Sequence, residues 1–258
     1  MTRRFMLSLV AIASVASLLL AACGAQAPAA PALTDPKDIL TKTILSLKDV
    51  KTVELTGTFT GKVTVPNMGA LDLSTTTLSA AMDIPGKKAK FSLDAPTLLG
   101  TKVDAVMIGD TAWYKITGAL AAMAGGTADK YNKVPVPTAS GNPAADATDM
   151  TKLVAQLQEG FAKLPSPLTK GADEKCGDVD CYHVSTVVTA AQAKALDASS
   201  TLDGDVTVDL WTRKSDYRPA KFGFSLASST LGTFGMTIDI KYDVAVSADA
   251  PPADQVAP

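Results

Sequence analysis

Residues 52–65 alternate apolar and polar side chains with unusual regularity. Val53, Leu55, Phe59, Val63 and Val65 fall on one face, and Thr52, Glu54, Thr56, Thr58, Thr60, Lys62 and Thr64 fall on the other. A period of two over that length specifies a long antiparallel strand with one wet face. Gly57 and Gly61 interrupt the apolar face, where a missing side chain permits strong coiling or close approach of another group. The expectation is a curved sheet.

The same alternation recurs along the chain. Leu71 and Leu73 are followed by Leu78, Ala80, Met82 and Ile84, so the apolar phase slips by one within Ser74 to Thr77, which a bulge or bend would correct. Further strands are expected around Lys88 to Ala95, Lys102 to Ile108 and Ala112 to Ile116, between the turn signals Pro85-Gly86, Pro96 and Gly109-Asp110. Three long strands end the pattern, carrying Val206, Val208 and Leu210, then Phe222, Phe224 and Leu226, then Met236 to Val246. Gly118 to Pro143 has no clear period and reads as a loop.

Two segments have helical spacing. Asp35-Pro36 supplies an N-cap and a first-turn proline ahead of Ile39, Leu40, Ile44 and Leu47. Leu153, Val154, Leu157, Phe161 and Leu164 recur at three and four residues and stop before Pro165. A third stretch, Ala190 to Leu196, is helix-prone. Amphipathic strands and helices together specify an α+β fold, a strongly curved antiparallel half-barrel wrapped around two or three helices.

Lys and Arg number 24 against 26 Asp and Glu, so there is no basic excess to neutralise phosphates and nucleic acid is not an expected partner. With one histidine and three cysteines, neither a metal site nor a cofactor is expected. The serines lie in no G-x-S-x-G elbow, no Gly-rich phosphate loop opens a helix, and the sequence points away from an enzyme. His183 falls on the polar face of its strand and reads as an ordinary surface residue.

At the N-terminus, Arg3 and Arg4 precede an apolar run from Phe5 to Leu20 that ends in small residues, the pattern of a signal peptide over residues 1–22. The run is short for a bilayer span of roughly 20 residues. Leu20-Ala21-Ala22-Cys23-Gly24 resembles the bacterial lipobox, whose cysteine becomes the acylated mature N-terminus. Residues 23–34 then read as a lipidated end and a flexible spacer rich in Ala and Pro, residues 35–248 as one domain, and residues 249–258 as a tail. Cys176 and Cys181 flank Gly177-Asp178-Val179-Asp180. In an exported protein this spacing suits a disulfide closing a hairpin, whereas a redox-active pair would be C-x-x-C at a helix start.

The lipobox, the helix before the long strand, Trp113-Tyr114-Lys115, Cys181-Tyr182-His183-Val184 and the hairpin from Leu210 to Ala220 together resemble lipid-carrier lipoproteins of the LppX/LprG type, which are similar in fold to LolA and LolB. The resemblance implies a protein anchored to the bacterial cell membrane on its extracytoplasmic side. It also implies acyl chains of lipids or lipoglycans as ligands, held in an apolar cavity and carried within the envelope, with an envelope transporter protein as a further partner. The cavity residues are expected to be Leu55, Phe59, Val63, Met82, Phe91, Met107, Leu153, Leu157, Phe161, Phe222 and Phe224. The alternative is a non-enzymatic envelope module with a packed core and an interaction surface.

Overall fold

A computed structural model describes residues 32–65, 69–119, 121, 129–136, 150–162, 167–196 and 202–257. The lipobox and Cys23 lie outside the described residues. Helix α1 (Pro36–Ser46) starts where the Asp35 carboxylate accepts the Lys37 N–H at 2.8 Å and Pro36 supplies a preset φ. It tightens into a 3-10 turn at Leu47–Asp49 before the first strand.

The strands in the first half are β1 (Thr52–Val65), β2 (Gly69–Asp72), β3 (Thr77–Asp83), β4 (Lys88–Ala95), β5 (Thr101–Ile108), β6 (Thr111–Thr117) and β7 (Asn132–Pro135). Helix α2 (Met150–Ala162) follows, then β8 (Thr169–Lys170), β9 (Glu174–Cys176), β10 (Val179–Val188) and helix α3 (Ala190–Leu196). The last third is β11 (Asp205–Arg213), β12 (Pro219–Ser228) and β13 (Gly232–Tyr242). Among the described residues, thirteen strands join one sheet in the order β7-β6-β5-β4-β3-β1-β13-β12-β11-β10-β8, with β2 on β1 and β9 on β10. Every strand pairing is antiparallel. The end strands β7 and β8 do not pair with each other, so the sheet is open rather than a closed barrel.

The central pair is β1 with β13, which joins the two halves of the chain in a register from Val53 opposite Tyr242 to Gly61 opposite Phe234. Both glycines of β1 are used as close approaches. A Cβ on Gly57 would stand 3.2 Å from that of Leu78, with Ile238 also in contact. Gly61 has a φ of +83°, and a Cβ there would run into the carbonyl oxygen of Thr233. The phase slip has the expected cause: from Asp72 to Thr77 the chain takes one residue more than β1 takes from Lys62 back to Thr58.

Cys176 and Cys181 are joined by a disulfide with Cα atoms 6.1 Å apart, across the β9–β10 turn. Two expectations need correction. The stretch read as loop contains β7, an edge strand on β6 that is too short to display a period. The C-terminal residues are not a loose tail either: the Tyr131 N–H donates to Gln255, the Ala257 N–H donates to Tyr131, both at 2.8 Å, and Tyr131 bridges Val256 in parallel.

Candidate functional site

Residues directly opposite each other in antiparallel strands share a face, so register alone assembles the site. Met107, Ala89, Met82 and Val53 form one row across β5, β4, β3 and β1. Ala105, Phe91, Ala80 and Leu55 form the next. A third row runs from Phe59 through Met236 and Phe224 to Val208, and a fourth links Gly57 through Ile238, Phe222 and Leu210 to Val184. Thus Leu55, Phe59, Met82, Phe91, Met107, Phe222 and Phe224 lie on one continuous apolar face. Val63 sits apart, beyond the bend at Gly61, opposite Leu71 in the β1–β2 hairpin.

The helices pack on the β10–β12 end of that face. Leu40, Ile44 and Val154 form a buried cluster, against which Leu47, Leu157, Phe161, Leu168 and Leu210 pack. The buried α2 residue is Val154, at 2% exposure, whereas Leu153 is half-buried and outside the cluster. Leu157 and Phe161 instead border a cavity of about 160 Å³ between α1, α2 and β10–β12, whose other walls include Leu40, Ile44, Val184, Val208, Leu210 and Phe222. Of its polar liners, Thr43 donates to the Ile39 carbonyl at 2.8 Å and Thr186 donates to that of Pro167 at 3.4 Å. Ser185 also borders it, and the other lining side chains are apolar. Engineered apolar cavities of about 150 Å³ stay dry and take up benzene-sized guests, so a space of this size and lining suits the end of an acyl chain.

Val184, Val208, Leu210 and Leu168 were not among the expected cavity residues. Alternation placed the first three on apolar faces, but only the register of β10 with β11 brings them under the helices.

The opposite face carries a polar cluster that the sequence did not reveal. His183 stacks on Trp211 with ring centroids 4.5 Å apart and planes 2° from parallel. Its Nε2 lies 2.7 Å from Asp209 and its Nδ1 lies 3.3 Å from Glu174. The indole N–H of Trp211 donates to Glu174 at 3.1 Å, and the Lys221 ammonium lies 4.4 Å above the indole. His183 is therefore tied into the β9–β10–β11 packing rather than an ordinary surface residue. Nearby, Asp173 accepts from Lys170 and Lys214, both at 2.7 Å, and these hydrogen bonds hold its carboxyl below the usual range. Among the described residues, no three or more His, Cys, Asp or Glu side chains are placed to hold a metal ion, and no helix is long and apolar enough to cross a membrane.

Among solved structures, LprF from Mycobacterium bovis matches over 84% of this chain and 96% of its own, with 12% identity and a TM-score of 0.51. The fold is that of LprF. The lipoprotein LppX of Mycobacterium tuberculosis matches over 84% of this chain and 100% of its own, at 14% identity and a TM-score of 0.48. A LolA superfamily protein from Nitrosomonas europaea matches over 88% and 99%, at 12% identity and a TM-score of 0.24. No protein-family model matches the sequence, and no curated protein is recognisably similar to it.

Proposed function

We propose that this chain is a lipoprotein anchored through acylated Cys23 on the extracytoplasmic side of a bacterial membrane. It binds acyl chains of lipids or lipoglycans on the apolar face and carries them within the envelope, handing cargo to or from an envelope transporter protein. In this reading the sheet curves around the helices and the bound chain together. The observation that carries the proposal is the apolar face from Met107 to Val184, which ends in a largely apolar cavity under α1 and α2. Burial of each methylene there is worth about 0.8 kcal/mol, so chain length rather than polar contacts sets affinity. No reacting group is needed, so the protein acts by binding and not by catalysis.

The test is titration of the full chain with a fluorescent fatty-acyl probe. Leu157→Trp fills the space beneath α2 and is expected to weaken the probe by about tenfold or more, equivalent to 1.4 kcal/mol. Gly57→Trp is a poor alternative, because Leu78 and Ile238 already occupy the space above Gly57. Saturable probe binding that Leu157→Trp and Phe222→Trp both leave unchanged counts against this site.

A further inference from the structure

The Asp243 N–H donates to the Thr52 carbonyl at 3.2 Å, where β13 leaves β1. The C-terminal segment next reappears at the far side of the sheet, where Pro251, Ala253 and Val256 line a recess with Trp113 of β6. Trp113 is opposite Val106, which is opposite Lys90, then Ala81, then Glu54, so all five residues belong to the polar face. The segment is thus a strap that reaches from the start of β1 to β6. It ends by gripping the main chain of Tyr131 on both sides, through Gln255 and Ala257.

Beside this strap lies a cleft of about 330 Å³. Its floor is a straight cross-strand row of Thr56, Ser79, Ser92 and Asp104, on four adjacent strands roughly 4.8 Å apart. Lys90 flanks the row, and Tyr131 forms the end wall. The Tyr131 ring is held by the Lys115 ammonium, 4.8 Å from its centroid.

We infer that this cleft is a binding site for a neutral saccharide of one or two rings. The volume is at the low end of the roughly 300–1,000 Å³ of small-molecule sites. Three hydroxyls and a carboxylate in a line offer alternating donors and acceptors. Ser92 donates to Asp104 at 2.9 Å and keeps its lone pairs as acceptors. The charges are mixed and balanced: Lys90 lies in one row with Glu54, and Asp104 lies opposite Lys115, so neither an anion nor a cation finds a site of one sign. A polyhydroxylated neutral ligand satisfies both signs, and with one face of the Tyr131 ring taken by Lys115 the other is left for the C–H face of a sugar ring. Thr56, Ser79, Ser92 and Asp104 point to the face opposite Leu55 and Phe91, so the site is separate from the proposed lipid site across the sheet.

The experiment is isothermal titration calorimetry of the full chain in detergent with maltose, cellobiose and chitobiose, and with glucose 6-phosphate as a charged control. Saturable binding of at least one neutral disaccharide is expected. Tyr131→Ala and Asp104→Asn should each weaken it by about tenfold, while Tyr131→Phe retains it. Asp104→Asn is nearly isosteric on a strand surface and serves if Tyr131→Ala unfolds the strap. The acyl probe is titrated in parallel with the same variants and should bind them all like wild type, so that failure of one site is distinguishable from failure of the other. The inference is overturned by no saturable heat with any neutral disaccharide, by tighter binding of glucose 6-phosphate, or by disaccharide binding indifferent to both Tyr131→Ala and Asp104→Asn.

Discussion

Thr43 of α1 and Thr212 of β11 share a buried hydrogen bond of 2.8 Å although 169 residues separate them. The Thr43 proton is committed to the Ile39 carbonyl, so Thr212 is the donor. With the Ser46 hydroxyl, which donates to the Tyr217 carbonyl at 3.0 Å, this contact ties α1 to the sheet beside the cavity. Thr43→Val leaves the Thr212 hydroxyl buried without its acceptor and is expected to cost about 1–3 kcal/mol. The double change Thr43→Val with Thr212→Val removes both groups and should recover most of that loss. Chemical denaturation of the four species gives the coupling directly, and additive single effects would remove this contact from the account.

The β12–β13 turn depends on Asp203. Its carboxylate accepts from the Ser228 hydroxyl, from the Ser229 hydroxyl at 2.7 Å and from the Thr230 N–H at 2.9 Å. These bonds, Ser228 first, hold the carboxyl well below the usual aspartate range. The unfolded chain takes up this proton near pH 3.9, about the ordinary value. The stabilisation is therefore complete above that pH and is lost as pH falls toward the folded-state value. The thermal midpoint of wild type should exceed that of Asp203→Asn by a constant margin above about pH 5, shrinking in more acidic solution. Parallel curves down to strong acid would contradict the assignment.

Anchoring is expected to rest on Cys23. Two acyl chains on one residue provide the pair of hydrophobic signals that stable membrane association needs. Cys23→Ser should move the protein from the membrane fraction to the soluble fraction of its host. A serine variant that still sediments entirely with membranes would place the anchor elsewhere.

Much of the sheet was legible because its signal is local. The period of two in β1, β3, β4 and β11–β13 persists long enough to identify both the strand and its inward face, and the Ser74–Thr77 slip marked its own irregularity. Helices α1 and α2 were legible through caps and spacing, although the same three-to-four pattern could not decide between Leu153 and Val154 as the buried residue. β7 was not legible, since Asn132-Lys133-Val134-Pro135 is too short to show a period. The His183–Trp211 stack, the cavity wall at Val184 and Val208, and the docking of Val256 beside Tyr131 all depend on which strands become neighbours. Such register is set by the whole sheet and is invisible in any one segment.

The central claim is that the apolar face holds acyl chains, and the most direct measurement is organic extraction and mass spectrometry of lipid carried by the protein purified from its own host. Wild type is expected to release one or more acylated lipids in stoichiometric amount, and Leu157→Trp, with an unchanged circular dichroism spectrum, is expected to release much less. A wild-type protein that carries no acylated lipid and binds no acyl probe would contradict the carrier reading and leave a packed interaction module in its place.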